Sequence, residues 1–222
     1  MSQTSLIPPS PSQEDIYFSA TEETLLLEGK LHRGPASWGA VICHPHPQHG
    51  GTMFNKVVDS SMRAVAAMGG SALRFNYRGV GHSEGSYGEG IDEVRDLKGA
   101  IKLMDEENLT TGGLLLMGFS FGTCVISRLL SAEECNVNGV VLLAPPLKNI
   151  RVPTFPARRL PWGLHMILGE HDQYCTAEML AEHAACFDTP EVRTTIVNGA
   201  DHFFHGLLHE VVQFVKEVPV QG

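Results

Sequence analysis

The stretch that decides the fold is Leu114-Leu115-Leu116-Met117-Gly118-Phe119-Ser120-Phe121-Gly122. Its apolar first half is typical of a buried strand, and a helix-like segment follows its end. In a G-x-S-x-G turn the chain passes from strand to helix so sharply that side chains at the flanking positions would collide, and glycines at 118 and 122 remove this collision. The pattern predicts that Ser120 is a nucleophile presented at the end of a strand.

Strand-like segments continue on both sides of this turn. Six short runs, apolar on both faces, predict buried parallel strands at residues 40–43, 72–75, 114–117, 140–143, 165–168 and 193–197. Two earlier runs, at 16–20 and 24–32, predict an antiparallel hairpin at a sheet edge. We therefore expect one mostly parallel sheet of about eight strands.

Helix-like segments alternate with the strands. Apolar residues at helical spacing predict helices around Met62, around Leu97 and around Val211, and Thr176 is placed to cap a helix that runs through Phe187. Alternating strands and helices indicate an α/β fold in which helices cover both faces of the sheet.

The composition indicates one soluble domain. A chain of 222 residues accommodates a single α/β domain, which we place at residues 16–218, after a Pro- and Ser-containing flexible tail at residues 1–15. No apolar run reaches the ~18 residues of a membrane span, and the first residues do not resemble a secretory signal. We therefore expect a cytoplasmic protein.

Charge and cysteine content argue against several kinds of partner. The net charge of −9 is spread along the chain, which disfavours nucleic acid and anionic membranes as partners. The five cysteines include no C-x-x-C pair, so neither a disulfide framework nor a thiolate zinc site is indicated. The glycines after the 72–75 run have the wrong spacing for a dinucleotide fingerprint, and no cofactor is expected.

A serine nucleophile requires a base and an acid, and both should lie where parallel strands end. Asp172 follows the predicted strand 165–168, and His202 follows the strand 193–197. The resulting order of Ser120, Asp172 and His202 is the one used by α/β sheets with this type of turn. These residues are the predicted catalytic triad.

Other residues compete for these roles. Asp172 could instead be a turn residue or a helix cap before Thr176, and Glu170 and Asp201 are nearby carboxylates that could replace it, but neither fits the strand-exit position as well. His205 is the alternative base, although we expect both His205 and His209 to be solvated side chains on the last helix.

A tetrahedral oxyanion requires two converging N–H donors. Phe121, which follows the nucleophile, is predicted to supply one of them. The second is expected from the loop after the strand 40–43, where Pro45 and Pro47 have no N–H, so His46 is the first candidate and Gln48 the next.

The same loop carries three histidines within six residues, at positions 44, 46 and 49. Such a cluster invites a metal interpretation, but no H-E-x-x-H motif or carboxylate cluster accompanies it. The alternative is that His44 supports the loop by packing and hydrogen bonding. No metal site is expected.

Three motifs carry a resemblance to a known family. Residues 44–58 match H-P-H-P-x-x-G-G-T-M-x-N-K-V-V, residues 75–85 match F-N-Y-R-G-V-G-x-S-x-G, and residues 118–122 match G-F-S-F-G. The chain resembles the α/β-hydrolase superfamily, in particular a small bacterial serine hydrolase branch without a lid. It is also similar to dienelactone hydrolases, which use a cysteine where this chain has Ser120. The resemblance implies a serine esterase or related acyl hydrolase that acts without a cofactor.

The segment that could form a lid is residues 144–163, which is too short and too rich in proline for a helical cap. We therefore expect an open, shallow cleft suited to short acyl esters. Residues 149–159 are predicted to form part of its rim, and Arg151, Arg158 and Arg159 could meet an anionic substrate or simply be solvated.

The expected function is hydrolysis of a small carboxylic ester through an acyl-enzyme. Acyl transfer to another acceptor and amide or peptide cleavage use the same triad and stay open as alternatives. A non-catalytic binding module is a further alternative, for which a broken triad is expected. The sequence leaves open whether the protein is a monomer or a homodimer.

Overall fold

A computed structural model describes residues 7–189 and 191–220. These residues form one sheet of eight strands: β1 (Glu14–Ser19), β2 (Leu26–His32), β3 (Trp38–Cys43), β4 (Ser71–Phe75), β5 (Gly113–Phe119), β6 (Gly139–Leu143), β7 (Gly163–Gly169) and β8 (Arg193–Val197). Five α-helices connect or follow these strands: α1 (Lys56–Ala67), α2 (Glu93–Glu106), α3 (Phe121–Ala132), α4 (Ala177–Ala185) and α5 (Leu208–Lys216).

The strands lie in the order β1-β2-β4-β3-β5-β6-β7-β8. Strand β2 is antiparallel to β1 and to β4, and every other neighbouring pair is parallel. Because β3, β5, β7 and β8 are parallel, the loops leaving their carboxyl ends meet at one edge of the sheet. The predicted edge hairpin and mostly parallel sheet are confirmed.

The interior of the sheet is apolar on both faces. Every residue of β3, β4, β5 and β6 is buried, as expected for parallel strands covered by helices. Helix α1 packs against α5, and α2 packs against α3, so two helix pairs cover the sheet.

Strand β8 corrects one expectation. We predicted it to be apolar on both faces, but among its residues only Val197 is buried. The reason is its place at the sheet edge, where only β7 pairs with it. Arg193 at its start forms an ion pair with Glu217 beyond α5.

The last helix also begins later than the pattern suggests. His205, which we expected on this helix, lies in the preceding loop, because α5 begins at Leu208. Phe204 and Gly206 have positive φ angles of 53° and 75°, which interrupt any helix there. The Asp201 side chain accepts hydrogen bonds from the N–H groups of Phe203 and His205, which holds the turn.

The tail predicted for residues 1–15 can be followed only in part, since residues 1–6 lie outside the described chain. The carbonyl of Pro8 accepts a hydrogen bond from Arg63, and the side chain of Gln13 accepts one from Arg74. Strand β1 already begins at Glu14. The domain boundary at residue 16 stays a prediction.

No α-helix interrupts the connection from β6 to β7, which contains only a 3₁₀ turn at Ala157–Arg159. Its five prolines withhold the N–H groups that a helix interior needs. The prediction that this fold has no cap domain is confirmed. Within the described residues, every helix is too short or too polar to cross a membrane.

Candidate active site

Ser120 lies at the turn from β5 into α3 in a strained backbone conformation, with φ of 52° and ψ of −116°. A Cβ on Gly118 would lie 2.6 Å from the backbone of Gly122. A Cβ on Gly122 would lie 2.6 Å from the carbonyl oxygen of Cys43 in β3. Both glycines are therefore required by close backbone approaches, for the steric reason deduced from the sequence.

Hydrogen bonds hold this strained residue on both sides. The Ser120 N–H donates to the carbonyl of Leu143 at the end of β6 (2.9 Å), and the Thr123 hydroxyl donates to the Ser120 carbonyl (2.6 Å). Such support stabilises a conformation that costs of order 1–3 kcal/mol. Since Ser120 is also the N-cap residue of α3, its side chain lies at the positive end of that helix.

The structure brings Ser120, His202 and Asp172 together. His202 Nε2 lies 2.9 Å from Ser120 Oγ, and His202 Nδ1 lies 2.7 Å from Asp172 Oδ2. The second carboxylate oxygen of Asp172 accepts the N–H of Tyr174 at 2.7 Å. A carboxylate at Nδ1 places the imidazole proton there, which leaves the Nε2 lone pair facing the serine hydroxyl.

This arrangement is shielded from solvent. The side chains of His202 and Asp172 are 3% and 0% exposed. The rings of Tyr174, Phe203 and Phe119 lie around the imidazole, with centroids 4.6, 5.1 and 5.3 Å from it. Water is therefore excluded from the His202–Asp172 hydrogen bond, and the low local dielectric strengthens the attraction between a protonated imidazole and the carboxylate.

The competing residues have other partners. Glu170 Oε2 accepts the N–H of Gly199 at 2.7 Å. Asp201 Oδ2 lies 2.6 Å from Nδ1 of His205, in an exposed pair. Asp201 therefore does orient a neighbouring histidine, but that histidine is not His202. Neither competing carboxylate contacts the imidazole beside the serine.

The predicted oxyanion donors lie beside Ser120. Among the described residues, the N–H groups of His46 and Phe121 donate to no protein acceptor, and both residues line the cavity that contains Ser120. The N–H of Gln48, the other candidate, is already committed to the His46 ring at 3.2 Å. This engagement favours His46 over Gln48 as the second donor.

His44 supports the loop that carries His46 through both of its ring nitrogens. Its Nδ1 lies 2.6 Å from the Pro45 carbonyl, and its Nε2 accepts the N–H of Tyr77 at 3.1 Å. Burial lowers the pKa of His44 to about 3, so the ring is neutral at physiological pH. Both ring nitrogens are thus engaged within the protein. Among the described residues, no group of three or more potential metal ligands is arranged around a common point.

Tyr87, which no sequence pattern indicated, contacts the His46 ring. Its hydroxyl lies 3.2 Å from His46 Nε2. Because His46 Nδ1 accepts the Gln48 N–H, a neutral His46 carries its proton on Nε2 and donates it to Tyr87. The His46 ring also packs against Phe121, with centroids 4.9 Å apart. The residues of the two expected oxyanion donors therefore touch each other.

Two buried acids on α2 hold the loop that carries Tyr87. Asp96 binds the guanidinium and the N–H of Arg78, with distances of 2.8 to 3.2 Å. Glu93 accepts the N–H groups of Gly88 and Gly90 at 2.8 and 2.7 Å. No sequence pattern revealed these acidic partners.

The cavity at Ser120 has a volume of about 340 Å³. Its lining comes from the loops after β3, β5, β6, β7 and β8: Pro45, His46, His49, Gly50, Gly51, Asn55, Ser120, Phe121, Pro146, Asn149, Ile150, Tyr174, His202 and Phe203. A larger cavity of about 530 Å³ between α2 and the start of β5 contains no serine, and we do not assign the chemistry to it.

Only the first part of the predicted rim reaches this cavity. Asn149 and Ile150 line it, whereas Arg158 pairs with Asp188 and Arg159 pairs with Glu134. These two arginines are therefore neutralised on the surface rather than directed at a substrate.

Known proteins are similar to this chain both in sequence and in architecture. A family model described as "Serine aminopeptidase, S33" matches residues 41–164, which is more than half of the chain. The chain belongs to this family of the α/β-hydrolase superfamily. An uncharacterised protein of Rickettsia prowazekii is 30% identical over 210 residues, which cover 91% of this chain and 86% of the relative.

Solved structures place this α/β hydrolase in the branch without a lid. An α/β serine hydrolase homologue from Coxiella burnetii is 30% identical with a TM-score of 0.77, covering 91% of this chain and 95% of its own. A serine hydrolase without lid from Xanthomonas campestris is 24% identical with a TM-score of 0.81, covering 96% and 98%. The predicted superfamily and branch are confirmed.

Proposed function

We propose that this α/β hydrolase cleaves small carboxylic esters through an acyl-enzyme on Ser120. The observation that carries the proposal is the continuous chain of contacts from Ser120 Oγ through His202 to Asp172, at 2.9 and 2.7 Å. A degenerate binding module would not need to preserve this geometry.

In the first half of the reaction Ser120 Oγ bonds to the carbonyl carbon of the ester, while its proton passes to His202 Nε2. Asp172, held by the Tyr174 N–H, stabilises the resulting imidazolium. His202 then donates the same proton to the departing alcohol oxygen as the carbon–oxygen bond breaks. The products of this half are the free alcohol and acyl-Ser120.

In the second half water replaces the alcohol. His202 Nε2 accepts a proton from water as its oxygen bonds to the acyl carbon. The proton then returns to Ser120 Oγ as the acyl bond breaks and the carboxylic acid leaves. Each group of the triad ends in its starting state.

In both halves of the reaction, the N–H groups of Phe121 and His46 donate hydrogen bonds to the negatively charged carbonyl oxygen. Their lack of protein acceptors supports this role, because both N–H groups are free to bind an oxygen atom of a substrate beside Ser120. The positive N-terminal end of α3 also stabilises this negative charge.

Cavity size supports a small substrate. At about 30 Å³ per water-sized group, a 340 Å³ cavity holds roughly eleven non-hydrogen atoms. This space suits a short acyl group with a modest alcohol. A long acyl chain would extend into solvent, because no lid covers the site.

The test combines covalent labelling with one matched pair of variants. Ser120→Ala should lower kcat for p-nitrophenyl butyrate by at least about 10⁴-fold and abolish labelling by a fluorophosphonate, with the circular dichroism spectrum unchanged. Ser131→Ala, an exposed serine on the same helix, serves as the control and should retain both activity and labelling. Activity that survives Ser120→Ala would overturn the proposal.

A further inference from the structure

The cavity at Ser120 contains no acidic side chain that could bind a cation. None of its fourteen lining residues is Asp, Glu, Lys or Arg. The carboxylate of Asp172 lies behind His202 and is 0% exposed. A positively charged substrate group would therefore find no counter-ion in the described part of this site.

Two helices direct their positive ends toward the same cavity. Ser120 caps the N-terminus of α3 and Asn55 caps the N-terminus of α1, and both residues line the cavity. Each helix is twelve residues long and carries partial positive charge on its first N–H groups. These charges attract carbonyl and ether oxygens and repel an ammonium.

The amide and phenol side chains of the cavity are uncharged. Asn55 Oδ1 accepts the N–H of Val57 at 2.9 Å, which leaves its Nδ2 hydrogens for an acceptor. Asn149 and Tyr174 contribute an amide and a phenol to the lining. These groups can hydrogen-bond to an uncharged substrate, but they cannot neutralise a cation.

The residues that flank the lining in sequence include no unpaired carboxylate. Three residues next in sequence to lining residues are cationic: Lys56, Lys148 and Arg151. The one adjacent carboxylate, Asp201, is already paired with His205. The chain segments that form the lining therefore supply no free carboxylate from their neighbouring residues.

We infer, on the basis of the proposed esterase function, that this site accepts acyl groups without a positive charge and rejects a free α-ammonium. The amino terminus of a peptide, which the family description suggests as a substrate, is then excluded. Leaving such a charge unpaired at the site should lower kcat/KM by roughly 10- to 100-fold.

The experiment compares two esters of the same shape. Benzyl 3,3-dimethylbutanoate and the benzyl ester of trimethylglycine differ by one carbon replaced with a positively charged nitrogen. Each kcat/KM is divided by the rate constant for hydroxide-catalysed hydrolysis of the same ester, because the charge also activates the carbonyl. The corrected value should be at least roughly tenfold higher for the neutral ester.

A second pair of esters, benzyl alaninate and benzyl propionate, tests the α-ammonium group itself. The preference for propionate should shrink as pH rises above about 7.7, where an α-amino group loses its proton. The preference within the trimethylglycine pair should not shrink, since that charge is permanent. A preference that falls equally in both pairs would contradict a charge effect.

One variant tests whether the cavity itself causes the discrimination. Asn149→Asp adds a carboxylate to the lining and should narrow the preference for the neutral ester at least roughly threefold. Asn136→Asp makes the same change on an exposed loop outside the cavity and should leave the preference unaltered. If both variants behave alike, the discrimination does not arise from the cavity, and the assignment is wrong.

The outcomes separate the inference from the function on which it rests. Ser120-dependent hydrolysis of cationic and neutral esters at equal corrected rates would overturn the inference and leave the esterase intact. Absence of Ser120-dependent hydrolysis for every ester would overturn the proposed function itself. A tenfold or larger preference that Asn149→Asp narrows supports the inference.

Discussion

The two halves of the candidate site are held in different ways. The nucleophile side, formed by β3, β5 and the loops that leave them, is positioned by backbone contacts in the fully buried centre of the sheet. The acid–base side, formed by the loops after β7 and β8, approaches from a sheet edge where only Val197 of β8 is buried. There, side-chain contacts around His202 replace the packing of a central strand.

This difference predicts whether a substitution in each half should impair stability, activity or both. Close backbone contacts leave no space for additional atoms, so a side chain added at such a contact on the nucleophile side should cost both stability and activity. A hydrogen bond between two side chains can be removed with the fold intact, so a change on the acid–base side should cost activity alone.

The largest effect is expected from Asp172→Asn on the acid–base side. An amide is expected to favour the wrong imidazole tautomer, so kcat should fall by about 10⁴-fold while the urea midpoint changes little. Steady-state kinetics and equilibrium unfolding measure the two quantities. Glu170→Gln is the matched control and should retain most activity, because Glu170 contacts Gly199 instead of His202. A reversed outcome would transfer the acid role to Glu170.

The next effect is expected from Gly122→Ala on the nucleophile side. The new Cβ would lie 2.6 Å from the Cys43 carbonyl, and overpacking of this kind costs typically about 1–3 kcal/mol of unfolding free energy. Ser127→Ala on the same helix removes a buried hydroxyl that has no partner, so it should be neutral or stabilising. Urea denaturation distinguishes the two, and an undiminished stability for Gly122→Ala would contradict the comparison.

Stability on the nucleophile side should also depend on pH through His44. Its folded pKa of about 3 lies below the unfolded value near 6.5, so the unfolded chain binds the proton more tightly. The stabilisation from neutral His44 is complete above pH 6.5 and is lost as pH falls toward 3, with about 2 kcal/mol lost by pH 5.

Unfolding free energies at pH 7 and pH 5 measure this loss. Burial also lowers the pKa of His46, His165 and His183, which contribute in the same direction, so a His46→Gln, His165→Gln and His183→Gln background isolates the His44 contribution. A stability that rises on acidification in that background would show that His44 is not held neutral.

The smallest effect is expected from Tyr87→Phe, which tests whether Tyr87 positions the His46 loop. Loss of the hydroxyl removes the 3.2 Å contact with His46 and should lower kcat roughly three- to tenfold with KM little changed, because the transition state alone carries the oxyanion. Tyr17→Phe, an exposed tyrosine on β1, is the control. A change in KM alone would make Tyr87 a substrate contact rather than a positioning residue.

Much of the fold follows from local patterns. Short apolar runs and helical spacings predicted all eight strands and the sheet class, because both periodicities are properties of neighbouring residues. The order of Ser120, Asp172 and His202 followed from one further rule, that functional loops lie where parallel strands end. The structure places these three side chains in contact.

Other features depend on contacts that no local pattern records. The exposure of β8 follows from its position in the strand order, and the start of α5 follows from positive φ angles at Phe204 and Gly206. Tyr87 reaches His46 across 41 residues of sequence, so its role was not visible before the chain folded.

The sequence by itself determined the class of fold, the sharp strand-to-helix turn at Ser120 and the order of Ser120, Asp172 and His202, since each rests on residue types at short or regular spacing. Only the tertiary structure decided which carboxylate contacts which imidazole, which loop amides stay free beside Ser120, and that the cavity contains no acidic side chain. These properties arise because five separate loops converge at one sheet edge, and their mutual distances are set by packing across the whole domain.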